Sequence, residues 1–239
     1  MTRAEYLEAL GAALRRQHVQ DVQDILSEYD DHFVCKLADG YSEEEISARL
    51  GDPAALAAQF APNAAAPRAN KALTVTGLCF ADVFAGAVFV LLAAFAVVLA
   101  AFALVSAATA VCLLGKLSPY GLVPTMPYGS ALIFSIMLLA LCALTVCGTI
   151  WFIAFLRQLV RAFSRFQRNA LAAANGNAPL PALPIAPQLC PWDRRRLRTA
   201  ALIALMIFAA AFVLGMFVSI VSAGSFQFWH VWGWFGYGK

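Results

Sequence analysis

VFAGAVFVLLAAFAVVLAAFALVSAATAVCLLG (residues 83–115) runs for 33 positions without a charged side chain. About 20 apolar residues carry a helix across the ~30 Å hydrocarbon core of a bilayer, so this stretch reads as a transmembrane span. Two more uncharged runs follow, 40 residues at 117–156 and 40 at 199–238. Between the first two, Gly115, Ser118, Pro119, Gly121, Pro124, Pro127 and Gly129 form a turn-rich loop. The pattern predicts a second span over residues 130–155 and a third over 199–223. Upstream, 72–114 as one helix would be about 65 Å long, and Asp82 would be costly at mid-bilayer. Residues 72–82 are therefore assigned to the interface, with the span starting near Val83. A hairpin of two spans stays open, although 87–105 offers no Gly, Pro or polar cluster for a turn.

Charge supports the same division. The 239 residues are 62% hydrophobic and 13% charged, half the roughly 25% charge of an ordinary soluble domain. Residues 1–60 hold five basic and twelve acidic side chains, a net of −7, whereas 61–239 hold twelve basic and two acidic, a net of +10. Eight arginines lie in 157–198 (Arg157, Arg161, Arg165, Arg168, Arg194, Arg195, Arg196, Arg198), against Lys116 alone in the 115–129 loop. Because short basic loops stay in the cytoplasm, the N-terminus and 157–198 are expected inside, and 115–129 and the C-terminus outside. The expected architecture is all-α: a small cytoplasmic helical domain at 1–62, a linker and interfacial segment at 63–82, spans one and two within 83–156, a basic amphipathic helix and Pro-rich linker at 157–198, and span three with an aromatic outer tail at 199–239. The N-terminus has no apolar core of a cleavable signal. The six cysteines show no CxxC pair or metal-like spacing and are expected to be unpaired structural thiols.

The first sixty residues are punctuated as short amphipathic helices. Thr2 with Glu5 and Ser42 with Glu45 are capping boxes, and Asp52 precedes Pro53 as a cap precedes a first-turn proline. Tyr6, Leu7, Leu10 and Leu14 form one apolar stripe, and Val22, Ile25, Leu26, Tyr29, Phe33 and Leu37 another. Gly40 and Gly51 end helices, and Ile46, Leu50, Leu56 and Phe60 face inward. Sixty residues is marginal for an independent core, so the head is expected to lean on the membrane, a twin or a partner.

The runs AEYLEALGAAL (4–14), DILSEYDDHF (24–33) and GYSEEEISARLGDPAALAAQF (40–60) carry four ordered blocks, at Tyr6–Leu7, Tyr29 to Phe33, Gly40 to Glu45 and Leu50 to Pro53. In these the head resembles the HAAS domain, a helical signalling module at the start of bacterial membrane proteins. The likeness covers the first quarter closely and the remainder in layout only. It implies a bacterial inner-membrane protein with membrane-linked signalling, often encoded beside a PadR-type transcription regulator.

Candidate functional residues fall in two groups. Glu28, Asp30, Asp31 and His32, with Glu43 and Glu44, suit docking of a basic protein surface, or equally the chain's own arginines, or a merely solvated face. A net of −7 argues against direct nucleic-acid binding, which requires a basic surface. Arg157, Arg161, Arg165 and Arg168 lie on one face of a helix continuing from span two, with Leu159, Phe163 and Phe166 nearer the other. They suit anionic lipid or a topology anchor. Trp229, Trp232 and Trp234 read as an outer aromatic belt, with a sensing surface as the sharper alternative. The prolines of 172–191 read as a semi-rigid linker. Gly215 and Ser219 suit close helix packing and raise self-association to a homo-oligomer as an expectation. No phosphate loop or nucleophile elbow occurs; no enzymatic activity, metal or cofactor is expected. Three functions stay open: a membrane-embedded regulator whose head binds a cytoplasmic partner, a small transport or export component, and a non-switching scaffold.

Overall fold

The computed structural model describes residues 1–19, 21–60, 71–174, 180, 183, 186, 187, 189–227 and 232. Among them every regular element is helical: α1 (Arg3–Arg16), α2 (Val22–Ala38), α3 (Glu43–Leu50), α4 (Pro53–Ala58), α5 (Lys71–Leu114), a 3-10 turn at Pro119–Gly121, α6 (Tyr128–Ala174) and α7 (Pro191–Ala223). The short helices start where the caps place them. In α1 and α3 the Thr2 and Ser42 hydroxyls accept from the Glu5 and Glu45 amides, and each glutamate accepts in return from the cap's own amide. Asp52 accepts from the Ala55 amide, with Pro53 in the first turn of α4.

Three helices, α5 over Ala72–Leu114, α6 and α7, are long and apolar enough to cross a membrane. The chain is therefore a small helical head followed by three membrane-type helices. Two differ from expectation in extent. α5 is one uninterrupted helix of 44 residues, about 66 Å at 1.5 Å per residue, so the interfacial segment and the span are continuous. α7 begins at Pro191 rather than near Thr199, because a proline at the first helical position has its ring geometry pre-set and needs no amide partner. That start draws Arg194–Arg198 into the helix.

By packing, the chain divides into two compact units: Met1–Val90 with Ala154–Arg194, and Leu91–Ile153 with Arg195–Lys239. In the first, Tyr6, Leu10, Leu14, Ile25, Phe33, Ile46 and Ala57 are the buried core of the head, and the Tyr6 and Phe33 rings meet at 5.6 Å. Gly11 lets α1 approach α2, since a Cβ there would sit 3.2 Å from Leu26 Cδ1. In the second, Phe95 meets Phe152 edge-on at 5.3 Å, and Gly215 of α7 fits against Ile133 and Phe134 of α6, 3.2–3.3 Å from a notional Cβ. The face of α7 expected to serve self-association, including the buried Ser219, is thus used in part within the chain. Hydroxyls in the apolar helices turn back to their own backbone: Ser106, Thr109, Ser135, Thr145 and Thr149 each donate to the carbonyl four residues earlier at 2.7–2.8 Å.

Candidate functional site: an acidic helix face on an arginine row

On α2, Asp24, Glu28 and Asp31 recur at steps of four and three, which a 3.6-residue helix turns into one stripe, and Asp21 stands just ahead of its first turn. On α6, Arg161, Arg165 and Arg168 do the same. Within the first compact unit the two stripes meet in opposite order. Arg161 reaches Asp31 at 3.2 Å, Arg165 reaches Glu28 at 2.6 Å and Asp24 at 2.9 Å, and Arg168 reaches Asp24 at 3.3 Å and Asp21 at 3.6 Å.

The pairs are not equivalent. Arg161 and Asp31 are 65% and 62% exposed, and such a surface pair contributes about 0–1 kcal/mol. The Arg165 side chain is only 3% exposed, wedged between two carboxylates. Removing one partner of a buried pair costs about 3–5 kcal/mol. The lower end applies here, since Asp24 and Glu28 keep about a third of their surface. Burial pushes the Glu28 carboxyl above the usual carboxylate range, outweighing the pull of Arg165 in the other direction.

Other contacts fasten the head to the same region. Asn169 of α6 clamps the backbone of Leu180 from both sides, its side chain donating to the carbonyl at 2.7 Å and accepting from the amide at 2.9 Å. Leu180 in turn packs on the head core. Cys35 of α2 is disulfide-bonded to Cys190, just ahead of α7, with Cα atoms 5.0 Å apart. This corrects the expectation of six unpaired cysteines: spacing along the chain carries no trace of a pair 155 residues apart. Cys79, Cys112, Cys142 and Cys147 are free. Further along α6, Gln167 donates to Asp82 of α5, and Phe163 meets Phe89 edge-on at 5.6 Å.

The expected partner-binding cluster is divided by these contacts. Glu28 and Asp31 face the arginine row. Asp30 and Glu43 instead hold α1: Arg3 Nε donates to Asp30 at 2.6 Å, and the Arg3 amide to Glu43 at 2.8 Å. The Arg3 hydrogen bond holds the Asp30 carboxyl below its usual range. His32 and Glu44 are exposed and outside this face; partial loss of hydration, and then the charge of Lys36, lower the His32 pKa. Asp21 and Asp24 belong to the face and were missed. Their signal was the spacing that they share with Arg161, Arg165 and Arg168. Of the four arginines read as a lipid or topology surface, Arg165 is buried against Asp24 and Glu28, whereas Arg157 is exposed. Trp232 packs edge-on against Phe134 at 5.8 Å; Trp229 and Trp234 lie outside the described residues.

The head is thus seated by its acidic face on the extension of a helix long and apolar enough to cross a membrane. Residues 5–59 match the HAAS family, so the chain carries a HAAS domain at its head. No curated protein and no solved structure matches the chain. HAAS domains are generally protein-interaction domains with a signalling or regulator-partner role.

Proposed function

We propose that this is a non-enzymatic, membrane-embedded signalling protein whose HAAS head offers one acidic face, Asp21, Asp24, Glu28 and Asp31, alternately to its own arginine row and to a basic surface on a cytoplasmic protein. The single observation that carries this reading is Arg165, buried against Asp24 and Glu28. A face that is already built to receive arginines, and already occupied by the chain, is one for which a partner must compete. Competition turns binding into a switch, since whatever shifts the docked population changes the access of the partner. The partner class that the HAAS domain suggests is a transcription regulator of the PadR type, whose basic DNA-binding surface would meet the acids. The side is the cytoplasm, by the arginine asymmetry of the loops. Span hydroxyls that bond their own backbone favour this reading over a transport path, which needs polar groups turned to a lumen.

The test uses the full chain in nanodiscs of zwitterionic lipid. Amide exchange over 22–38 is expected to rise with NaCl, and to be high already at low salt when Arg161, Arg165 and Arg168 are all changed to Ala. A purified PadR-type regulator is expected to bind that variant more tightly than the unaltered chain, and to lose binding on Asp24→Asn, Glu28→Gln and Asp31→Asn together. Binding indifferent to both sets of changes would refute the shared face. A head that stays docked at every salt concentration would make the protein a static scaffold instead.

A further inference from the structure

We infer that Cys35 and Cys190 form a redox-controlled lock on the docked head, closed by a small cytosolic disulfide and opened by a dithiol reductant. The lock is the regulation of the face described above and rests on that reading. Cys35 lies on α2 one turn beyond Asp31, on the helix that carries the acids, so a bond to it holds that helix directly. Cys190 lies beside the arginine-bearing end of α7. The Cα separation of 5.0 Å is within the usual range for a bridge, and neither residue is fully buried, so small thiols can reach the pair.

The surroundings of Cys190 make it the reactive partner. It immediately precedes Pro191 at the N-terminus of a 33-residue helix, and the Arg194 amide donates to its carbonyl at 2.9 Å. Arg194, Arg195 and Arg196 follow within six residues, against Asp193 alone. A helix N-terminus and nearby guanidinium groups both favour thiolate over thiol. Cys190 thiolate attacks a disulfide RSSR, RS⁻ leaves, and a mixed disulfide forms on Cys190. Cys35 thiolate then attacks the Cys190 sulfur and expels the second RS⁻. Two protein thiols and one RSSR thus give one protein disulfide and two RSH, with two electrons passing to the small disulfide. A dithiol reverses each step and takes the oxidising equivalent away.

Compartment decides between lock and permanent staple. The arginine-rich side is the cytosolic one, where thiols are normally kept reduced and disulfides are transient or redox-sensing. In the reduced chain the head is held by ion pairs and Leu180 and can exchange with a partner. Once the bond forms, each opening of the ion pairs is followed by recapture at high effective concentration, and the partner is shut out.

The full chain in nanodiscs of zwitterionic lipid is treated with glutathione disulfide or with dithiothreitol. Maleimide–polyethylene glycol counts thiols, and exchange over 22–38 reads the NaCl midpoint of head release. Oxidation is expected to remove two reactive thiols and to raise that midpoint roughly tenfold or abolish release, by the gain typical of a short tether. Cys35→Ser and Cys190→Ser are expected to behave as the reduced chain under both treatments, and Cys79→Ser as the unaltered one. Salt release that is normal when reduced and unmoved by oxidation overturns the lock and leaves the proposed function standing. No salt release in the reduced chain overturns the shared face, and the lock with it. Failure of glutathione disulfide to remove two thiols, or a bond found intact in unstressed cells by rapid alkylation, overturns the lock alone.

Discussion

Tyr6 is fully buried at the centre of the head, against Phe33, and its hydroxyl has no hydrogen-bond partner among the described residues. Burial pushes its pKa up to about 12. An unsatisfied buried hydroxyl costs about 1–3 kcal/mol, so Tyr6→Phe is expected to leave head stability unchanged or raise it. Tyr6→Ala is expected to cost about 3–5 kcal/mol and unfold a domain this small. Chemical denaturation followed by exchange in α1 and α2 separates the two; a Phe variant as damaged as the Ala variant would mean the hydroxyl has a role. Asp30 gives the pH dependence. Its folded pKa lies below the ordinary value because Arg3 hydrogen-bonds to it. Its contribution is therefore present above the ordinary carboxylate range, near about 4, and lost as pH falls through the folded value. Asp30→Asn is expected to lower head stability at pH 7 and to converge with the unaltered chain in acid. A gap that stays constant with pH would detach Asp30 from the effect. Glu28, raised by burial, has the opposite sign, and its share falls as pH rises through the range just above the ordinary one. At this scale the sequence told little: Arg165 and Arg157 look alike in a row of arginines, and burial of one arises only from the fold.

Helices were more legible than contacts. Capping boxes at Thr2 and Ser42 and the Asp52–Pro53 start could be read because their chemistry spans four residues. The docking could not be fixed in the same way, since an i, i+4, i+7 stripe of one charge matches many partners, the chain's own included. Inversion tests the match. Changing Arg161, Arg165 and Arg168 to Glu is expected to expel α2, raising its exchange at low salt by more than the Ala changes do, because repulsion replaces attraction. Adding Asp24→Lys, Glu28→Lys and Asp31→Lys to that chain is expected to restore most of the protection, a coupling that independent effects would not produce. Arg157→Ala, which breaks no ion pair seen here, is expected to change nothing. If the six-fold variant is no better protected than the triple one, α2 and α6 do not meet through these charges.

Parity ties these contacts to the membrane. Cys35 and Cys190, and likewise Asp31 and Arg161, touch although α5 and the span portion of α6 lie between them in the chain. Residues on one side of a bilayer must be separated by an even number of crossings. One crossing by α5 and one by α6 satisfies this; the hairpin of two crossings left open for 72–115 would put the partners on opposite sides. The continuous α5 and the head contacts therefore agree, whereas the length of 72–115 alone allowed either arrangement. The proposed topology, with one crossing by each of the three helices, predicts opposite compartments for the 115–129 loop and the head. Single cysteines introduced at Ala54 and Ser118 in a chain lacking all six native cysteines make this measurable in whole cells. The expected result is that a membrane-impermeant maleimide labels the Ser118 position directly and the Ala54 position only after permeabilisation. Labelling of both from outside, or of Ala54 first, would reverse or abolish the sidedness on which the cytosolic partner and the reducible lock depend, while leaving the ion pairs between α2 and α6 untouched.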